Sequence, residues 1–455
     1  MTRGDTLRAG YHDLVRGEIL ELIPSGVKTV LDLGCGTGAL GKALKQRQLC
    51  TVHGIELSKD AAKIAEKNLD VVFCNNLNRF DPVFLKQKYD TLVFADILEH
   101  LISPWRILRK FMSVLADDGT VIASLPNVAH PHVIANLKKG LFRYEPAGIL
   151  DITHLRFFTK TSIFQLFYMA GLKVVSIRAY PSDKNPIQYH VTAVKIPEVV
   201  KEQTALILIL TYNGWGYTKK CIDSIKKHTH APYKLLVIDN GSTDETVEQL
   251  RADRTLYHIE NECNLGFAAG FNVGLMLVDT KYFVLVNSDT VVTDNWLSTM
   301  VYHINEDKDL MVLGPRSNHV SGPQLVSKVP YSDDQSLDKY ALEFRKDVAE
   351  PLTYFPRIVF FFTLFKAEVL SKAGYLDEIY SQGNYEDDDY CMKVAHKKLK
   401  AAFCNTVFIH HYGSRAFTGN KIDFKKSMEV NGQLFMKKWG FKNMQEYFLY
   451  LKKEA

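Results

Sequence analysis

Val30-Leu31-Asp32-Leu33-Gly34-Cys35-Gly36-Thr37-Gly38 decides the fold of the N-terminal half, because an apolar run breaks there into three alternating glycines. Glycine allows a tight turn and a close approach of the backbone to a ligand, where any side chain would collide. Ala39–Arg47 follows with helical spacing. The stretch therefore predicts a strand, a ligand-binding loop and a helix, an order that suits an adenosine cofactor.

Strand-like and helix-like runs alternate on both sides of this loop, which predicts a parallel sheet covered on both faces. Leu172–Ala179 and Tyr189–Ile196 are separated by a turn too short for a parallel crossover, so they predict an antiparallel hairpin at the sheet edge. The predicted strands before the hairpin are Thr29–Leu33, Thr51–Leu57 and Tyr89–Ala95, and the predicted helices are Ala39–Arg47, Lys59–Asn68 and Pro104–Leu115.

The same alternation restarts near residue 204, after a short polar segment. We therefore expect an α/β protein of two domains, 1–197 and 205–455, joined by a linker at 198–204. The predicted strands of the second domain are Ala205–Leu210, Tyr233–Ile238 and Tyr282–Val286, and its first predicted helices are Tyr217–Lys226 and Asp244–Arg251.

Composition narrows the class of protein. Of the 455 residues, 46% are hydrophobic and 24% charged, as in soluble globular proteins, and a net charge of +5 is too small to indicate nucleic-acid binding. Seven scattered cysteines without a CxxC pair predict reduced thiols in a cytoplasmic protein. The longest apolar runs fall well short of the ~20 residues that a membrane span needs. Paired lysines near the C-terminus fit either a contact with an anionic membrane surface or a solvated helix face.

The glycine loop and the acid that follows it indicate which cofactor binds. Glu56, at the end of the next predicted strand, stands where a carboxylate holds the hydroxyl pair of a ribose. A nicotinamide fingerprint, G-x-G-x-x-G, would need a third glycine where this chain has Ala39. The G-x-G-x-G that is present suits a smaller charged tail than a pyrophosphate.

Four segments of this half resemble the class I S-adenosylmethionine-dependent methyltransferases, in a branch found beside bacterial surface-polysaccharide genes. They are Leu31–Gly38, Phe94–Leu101, Leu125–His130 and Gly148–Phe158, and the likeness covers residues from about 10 to 196. The resemblance implies a Rossmann-like sheet. Asn76 stands near where the family usually places an aspartate against the adenine. The cofactor-binding residues that it implies are Asp32, Gly34, Gly36, Gly38, Glu56, Asn76 and Asp96.

Methyl transfer to a hydroxyl requires removal of its proton, and a histidine that titrates near neutral pH suits that task. His130 and His154 lie in loops expected over the carboxyl edge of the strands, where ligands bind in such sheets. Both are candidate catalytic residues, with a purely structural role as the alternative.

The second domain carries polar residues where its strands end. Asp239 follows a buried strand, from which a carboxylate can grip a base or a ribose. Asn287-Ser288-Asp289 follows an apolar strand, and a hard divalent cation commonly bridges a carboxylate and a diphosphate. Glu386–Asp389 is either a functional acidic cluster or a solvated helix start. His410, after the predicted strand Thr406–Ile409, can add an imidazole ligand.

From Ala205 to about Trp439, these motifs resemble the family 2 inverting glycosyltransferases of the GT-A fold, particularly rhamnosyltransferase-like members. The resemblance implies that Asp387 deprotonates the acceptor, and that Asp289 and His410 hold Mg²⁺ or Mn²⁺. Asn287 replaces the first acid of the usual D-x-D. The implied substrate-binding residues are Thr211, Tyr212, Asn213, Asp239, Asn240, Asn264, Gly266, Asn272, Asn287, Ser288 and Glu386.

Together these features predict a bifunctional enzyme of bacterial surface polysaccharide or glycolipid synthesis. One half would transfer a sugar with inversion from a nucleotide-diphosphate donor, for which a dTDP-rhamnose type is a candidate. The other half would methylate a hydroxyl of a glycan or lipid-linked glycan. The alternative is a glycosyltransferase whose N-terminal half only binds the glycan, while an NAD-dependent oxidoreductase is disfavoured by Ala39. We expect no nucleic-acid partner and a cytoplasmic location, with contact at the inner face of the plasma membrane.

Overall fold

A computed structural model describes residues 15–196, 204–346, 348–380, 383–413 and 424–454. The chain divides into two compact units, Met1–Pro197 and Glu198–Ala455. The expected linker at 198–204 lies outside the described residues, apart from Thr204. In the described parts of the chain, no helix has the length and apolar character needed to cross a membrane.

The first unit contains a seven-stranded sheet with helices between its strands. Its strands are β1 (Thr29–Leu33), β2 (Thr51–Glu56), β3 (Val71–Cys74), β4 (Tyr89–Ala95), β5 (Leu115–Pro126), β6 (Leu172–Tyr180) and β7 (Gln188–Lys195). Its helices are α1 (Gly17–Leu20), α2 (Ala39–Arg47), α3 (Lys59–Ala65), α4 (Pro104–Phe111), α5 (Pro131–Leu137) and α6 (Lys160–Met169).

The strand order in this sheet is β3-β2-β1-β4-β5-β7-β6. The first five strands in that order are parallel, whereas β7 pairs antiparallel with both β5 and β6. The expected hairpin at the sheet edge is thereby confirmed. Because β1 has β2 on one side and β4 on the other, the strand order reverses at β1 and opens a crevice at its carboxyl end, which is where open α/β sheets bind ligands.

The second unit contains a nine-stranded mixed sheet. Its strands are β8 (Ala205–Thr211), β9 (Tyr233–Asp239), β10 (Tyr257–Glu260), β11 (Tyr282–Asn287), β12 (Thr290–Val291), β13 (Leu310–Ser317), β14 (Leu352–Tyr354), β15 (Phe362–Lys366) and β16 (Lys400–His411). Its helices are α7 (Trp215–His228), α8 (Thr246–Ala252), α9 (Phe267–Leu275), α10 (Trp296–Ile304), α11 (Asp334–Phe344), α12 (Val369–Ala373), α13 (Glu386–His396), α14 (Phe424–Trp439) and α15 (Met444–Glu454).

In the second sheet the order is β10-β9-β8-β11-β15-β13-β16-β12, with β14 paired to β16. β10, β9, β8 and β11 are parallel, and β11 pairs antiparallel with β15. The carboxyl ends of the four parallel strands therefore meet at one edge, and the order reverses between β8 and β11. Four side chains on these strands are fully buried and hold the strands in the core: Ile207, Ile209, Val284 and Val286.

Three sequence predictions differ from the structure, each for a local reason. The helix expected to reach Asn68 ends at Ala65, and the Asn68 side chain donates to the Thr37 carbonyl instead of facing solvent on a helix. The acidic cluster forms the first turn of α13, where acids favour the helix dipole, but its four side chains are buried and not solvated. The strand expected to end at Ile409 continues to His411 because it pairs there with β12.

Candidate active sites

The glycine loop of the first unit follows β1 at the reversal point of the sheet. The φ angles of Gly34, Gly36 and Gly38 are +83°, +54° and +77°, a region that only glycine adopts without strain. A Cβ on Gly34 would lie 2.9 Å from the Ile97 Cδ1 atom. Both backbone conformation and space therefore require glycine, and the loop leaves bare backbone facing the crevice.

Two buried acids support this loop. One Glu56 carboxylate oxygen accepts from the Gly36 N–H at 2.9 Å, and the other accepts from the Ser58 N–H at 2.8 Å. Asp32 is 4% exposed, and burial followed by repulsion from Glu56 raises the pKa of Asp32 to about 7. Glu56 thus fixes the shape of the loop, and its remaining lone pairs are the part available to a ribose.

Asp96 and Asn76 complete the residues expected to bind the cofactor. Asp96, at φ +50°, directly follows β4 beside the crevice. Its carboxylate accepts from Ser124 Oγ at 2.7 Å and from Gln188, and it forms an ion pair with Arg16. Asn76 follows β3, and its side-chain oxygen accepts from the backbone N–H of Asn78 at 2.9 Å. The loop, Glu56 and Asp96 lie at the carboxyl ends of neighbouring strands, so this edge fits a cofactor that carries a nucleoside and a small charged tail.

The two candidate histidines of this unit have different surroundings. His130 is the N-cap residue of α5, and its Nδ1 accepts from the His132 N–H at 3.3 Å. His154 is buried, and its Nδ1 lies 2.9 Å from the carbonyl oxygen of Ile149. His154 also lies beside a carboxylate, with its Nε2 4.0 Å from Glu99 Oε1.

Glu99 had no role assigned from the sequence. It is 1% exposed, and among the described residues neither of its carboxylate oxygens has a hydrogen-bond partner. Burial raises its pKa to about 8. The ring of His100 lies 4.9 Å from the ring of His154, so two imidazoles stand beside this acid. An acid placed next to a histidine within an apolar run is the sequence signal that could have drawn attention to it.

In the second unit, three of the asparagines expected to bind substrate, Asn240, Asn264 and Asn272, also tie loops together. The Asn240 amide donates to Asn264 Oδ1 and the Gly266 carbonyl, both at 3.0 Å, and its oxygen accepts from Asn261 and from the Leu265 N–H. These bonds use the hydrogen-bonding capacity of Asn240. Asn264 in turn accepts from the Gly266 N–H at 2.9 Å. Asn240 therefore positions the loop at the carboxyl end of β10, and the backbone of that loop is what a ligand would meet.

Asn272 has a comparable positioning role on α9. Its amide donates to the Leu376 carbonyl at 3.0 Å and to Glu378 at 2.8 Å, and its oxygen accepts from the Leu376 N–H at 3.1 Å. The Thr211 hydroxyl is buried 2.7 Å from that of Thr218 on α7. Both side chains therefore face the protein interior.

Asp239 and Asn213 lie together at the carboxyl edge of the sheet. Asp239 is 1% exposed and accepts from the backbone N–H groups of Gly241 and Ser242 at 3.2 and 3.1 Å. Burial raises the pKa of Asp239 to about 6. Asn213 accepts from the Thr243 N–H at 2.8 Å and donates its own N–H to Ser242 Oγ. Along the chain, the half-buried Tyr212 lies between the end of β8 and Asn213.

Asp289 forms its closest described pair with His411, not with the expected His410. His411 Nε2 lies 3.1 Å from Asp289 Oδ1, while His411 Nδ1 lies 2.7 Å from the carbonyl oxygen of His319. His410 turns the other way, with its Nδ1 2.7 Å from the Tyr331 hydroxyl. Neighbouring side chains on a strand point to opposite faces, so only one of the two histidines can reach Asp289.

The Asp289–His411 pair has the donor set of a cation site. A carbonyl oxygen can only accept, so the contact with His319 places a proton on His411 Nδ1. The lone pair on Nε2 of the neutral ring then faces a carboxylate oxygen. Because both atoms carry lone pairs, either a proton or a cation is needed between His411 Nε2 and Asp289 Oδ1. The half-buried Asn287 and Ser288 precede this pair along the chain.

The four acids at the start of α13 divide into two groups. Asp388 accepts from Arg357 Nε and from the Tyr447 hydroxyl, both at 2.6 Å. Asp389 accepts from the Tyr380 hydroxyl at 3.1 Å and from Trp439 Nε1 at 2.9 Å. These two acids are therefore engaged in holding the fold.

Glu386 and Asp387 form the second group. Glu386 is buried with no described hydrogen-bond partner for its Oε2 atom, and burial raises its pKa well above the usual range. Burial and repulsion from Asp388 raise the pKa of Asp387 to about 7. Asn384 and Tyr385, just before the helix, both have φ above +70°, a strained conformation that is common at functional sites. Asp387 therefore has the properties of a base that operates near neutral pH.

The segment from Arg357 to Phe361 connects α13 with the Asp289 region. Arg357 bonds Asp388, whereas Phe361 stacks on His411 at 5.0 Å between ring centroids and its carbonyl accepts from the Asn287 N–H. Four residue steps span at most roughly 14 Å. The acidic turn and the Asp289–His411 pair are therefore joined through one short segment of chain.

Comparison with known proteins gives a match in each half. Residues 8–177 match the family model for a methyltransferase domain, and residues 206–372 match the model for glycosyl transferase family 2. Asp387, His410 and His411 lie beyond the second match. A glycosyltransferase of Haemophilus influenzae is 29% identical over 112 residues, which cover 24% of this chain and 35% of that protein.

Two further relatives represent the two halves. An O-antigen chain rhamnosyltransferase of Salmonella typhimurium is 26% identical over 193 residues, covering 37% of this chain and 61% of that protein. A ubiquinone biosynthesis O-methyltransferase of Neisseria meningitidis is 24% identical over 177 residues, covering 36% of this chain and 68% of that protein. The chain spans about a third of the first curated glycosyltransferases that it matches, at 35% and 39% of their lengths.

Among solved structures, a mannosyltransferase of Pyrobaculum calidifontis in complex with GDP-Man and Mn²⁺ is similar at 18% identity and a TM-score of 0.36, over 49% of this chain and 61% of that chain. The expected α/β class with two domains is confirmed by the two sheets and the two family matches. The chain is a fusion of a methyltransferase domain with a glycosyltransferase family 2 domain.

Proposed function

We propose that this protein is a bifunctional enzyme of bacterial surface polysaccharide or glycolipid synthesis, which transfers a sugar from a nucleotide-diphosphate donor with inversion and a methyl group to a glycan hydroxyl. The observation that carries the first activity is Asp387, a buried carboxylate with a pKa of about 7 in the acidic turn that the segment from Arg357 to Phe361 joins to the Asp289–His411 pair. The names of the relatives suggest the biological setting, and the Salmonella rhamnosyltransferase supports a dTDP-rhamnose type of donor.

In the glycosyl transfer, Asp387 accepts the proton of the acceptor hydroxyl as that oxygen attacks the sugar. Asp289 and His411 would hold Mg²⁺ or Mn²⁺, which supplies positive charge for the departing diphosphate. Asp239 and the loop fixed by Asn240 face the nucleotide from the carboxyl edge of the sheet.

In the methyl transfer, the glycine loop, Glu56 and Asp96 would hold S-adenosylmethionine, which supplies an electrophilic methyl group when bound. The loop fits this cofactor because its bare backbone and the two acids lie at the reversal point of the sheet. Of the two candidate bases, His154 lies beside the buried Glu99, whereas His130 caps a helix.

The alternative, a glycosyltransferase whose N-terminal half only binds the glycan, rests on Asn76. This residue stands in place of the expected acid, and its side-chain oxygen is already engaged with Asn78. Binding of S-adenosylmethionine without any methyl transfer to glycans would favour the alternative.

We place the enzyme at the inner face of the plasma membrane. Phe448 and Leu449 on α15 are 54% and 61% exposed, and the lysines Lys452 and Lys453 follow on the same helix. Apolar and basic side chains on one helix suit contact with an anionic lipid surface that carries the acceptor.

The decisive experiment supplies the full chain with a panel of nucleotide sugars, Mn²⁺ and lipid-linked glycan acceptors, and measures release of the nucleoside diphosphate. A parallel assay measures conversion of S-adenosylmethionine to S-adenosylhomocysteine on the same acceptors. Turnover in both assays supports the proposal, and absence of nucleotide release with every donor contradicts its first half.

A further inference from the structure

We propose that Glu99, His100 and His154 bind one divalent transition-metal ion of the zinc class in the methyltransferase domain, separate from the cation site at Asp289. Any part that the ion takes in methyl transfer rests on the proposed function, and a His154 that ligates the ion through Nε2 leaves His130 as the candidate base. Binding of the ion does not rest on the proposed function, because it follows from the donor atoms alone.

The donor atoms converge. One ligand atom from each of the three residues lies within 4.8 Å of the others, and His154 Nε2 is 4.0 Å from Glu99 Oε1. Ligands about 2 Å from a tetrahedral cation lie roughly 3.3 Å from one another. The side chains therefore need to approach by about 1 Å, which small rotations supply.

Both imidazoles are held with the same nitrogen facing the protein. His154 Nδ1 is 2.9 Å from the Ile149 carbonyl oxygen, and His100 Nδ1 is 3.2 Å from the Thr153 carbonyl oxygen. Because carbonyls only accept, each Nδ1 carries a proton and each neutral ring keeps its lone pair on Nε2. A backbone carbonyl behind Nδ1 is the usual support of a histidine that ligates a metal through Nε2.

Glu99 provides the independent observation. Its carboxylate is 1% exposed, and neither oxygen has a hydrogen-bond partner among the described residues. A buried carboxylate without a partner is costly, and a cation removes that cost. The Glu99 carbonyl accepts from the backbone N–H groups of Leu155 and Arg156 at 2.8 and 3.0 Å, so the loop that carries His154 is fastened to the turn that carries the other two ligands.

The donor set favours one class of ion. Imidazole nitrogens suit zinc, iron, cobalt and nickel, whereas magnesium and calcium prefer oxygen ligands. Two histidines and one glutamate match the three protein ligands of open zinc sites, which leave a further position for an oxygen ligand. An ion pair between a protonated His154 and Glu99 is the competing explanation, and it requires no metal.

The test uses the full chain with Asp289→Asn, so that the other cation site is weakened, after removal of metal by chelation. Titration with Co²⁺ is followed by visible absorbance and by equilibrium dialysis. We expect one equivalent to bind with the d–d bands of a nitrogen- and oxygen-ligated site, and Zn²⁺ to displace it. Adding Glu99→Gln or His154→Gln should weaken Co²⁺ binding at least tenfold, whereas His132→Gln, a histidine of the nearby helix α5, should not.

Binding of S-adenosylmethionine, measured by calorimetry, shows whether each variant is folded, and Co²⁺ should raise the Tm of the parent but not of the Glu99→Gln protein. Failure of the parent to bind Co²⁺ or Zn²⁺, or full binding by the folded Glu99→Gln protein, overturns the metal site and leaves the ion pair. If Co²⁺ binds as expected while no glycan is methylated, the site stands and the proposed methyl transfer fails.

Discussion

Asp387 combines two properties that would together set the pH dependence of the proposed glycosyl transfer. Its carboxyl group must be deprotonated to accept a proton, and burial and Asp388 raise its pKa to about 7. The active form is therefore present above that pH and is lost below it. We expect kcat to fall about tenfold per pH unit below pH 7 and to level off above it, as measured over pH 5.5 to 8.5.

Replacing this residue provides the matching test. Asp387→Asn should lower kcat by a factor of about 10² to 10⁴, the usual contribution of a general base. Asp223→Asn, which changes an exposed acid paired with Lys219 on α7, should leave the rate unchanged. A rate that is flat across this pH range, or an Asp387→Asn protein with normal turnover, would assign the proton to another group.

The two adjacent histidines at the end of β16 provide a second prediction at this scale. His411 lies 3.1 Å from Asp289, whereas His410 lies against Tyr331. His411→Ala should raise the Mn²⁺ concentration for half-maximal nucleotide-sugar turnover at least tenfold, and His410→Ala should change it less than threefold. The reverse order of effects would return the ligand role to His410.

This pair also shows what the sequence could not determine. The resemblance predicts a histidine beside the proposed cation site, but the choice between neighbours depends on how far the strand extends and which face it presents, and a shift of one residue exchanges the faces. Pairing of Val291 with His410 and of Thr290 with His411 fixes that register, and it is a long-range contact. In the same way, nothing in the sequence shows that the Asn240 side chain forms its hydrogen bonds with loop residues.

At the scale of elements, the glycine loop after β1 is the part that the sequence predicted best. Its function depends on backbone conformation, which glycine spacing reports directly. Gly34→Ala would place a methyl group at φ +83° and 2.9 Å from Ile97, so we expect a loss of about 1–3 kcal/mol in the free energy of unfolding. Chemical denaturation measures it.

Gly17 offers the matched control for that substitution. It lies in helix α1 at a φ outside the left-handed region, and no atom lies within 4 Å of an added Cβ. Gly17→Ala should be neutral or stabilising by up to about 1 kcal/mol. Equal destabilisation by both substitutions would show that the loop conformation is not the cause.

The two helices after the acidic turn, α14 and α15, donate hydrogen bonds to its acids. The Tyr447 hydroxyl on α15 donates to Asp388 at 2.6 Å, and Trp439 on α14 donates to Asp389. We infer that α14 and α15 keep α13 in position for Asp387. Hydrogen bonds to charged groups contribute about 1.5–3 kcal/mol, so Tyr447→Phe should lower kcat for glycosyl transfer about 10- to 150-fold and leave the donor KM within twofold.

Phe448, exposed on the same helix, supplies the control: Phe448→Ala should keep the kcat of the parent in a detergent-solubilised assay. A Tyr447→Phe protein with unchanged kcat would show that the contact from α15 does not affect catalysis. From the sequence, a solvated helix face is one of two interpretations of the paired lysines here, but the pairing of one acid with each helix depends on tertiary packing around Phe435 and Tyr447, which no local pattern reports.

At the scale of the whole molecule, the restart of the strand–helix pattern near residue 204 was enough to predict two sheets. The order of strands within each sheet was not predictable in this way, because alternation gives the sequence of elements and not their neighbours. Both sheets reverse their order beside the first strand of their unit, β1 and β8, and that reversal creates the crevice for each ligand.

Since each unit has its own sheet and its own core, we expect calorimetric unfolding in two transitions, each responding to one ligand. A ligand that binds only the folded state adds about 2.7 kcal/mol of stability at 100 times its Kd. S-adenosylmethionine should therefore raise the Tm of one transition, and a nucleoside diphosphate with Mn²⁺ should raise the Tm of the other. Asp289→Asn should remove only the second shift and Gly34→Ala only the first. A single transition raised by both ligands would mean that the two units unfold as one cooperative body, and their sites would then be linked through stability.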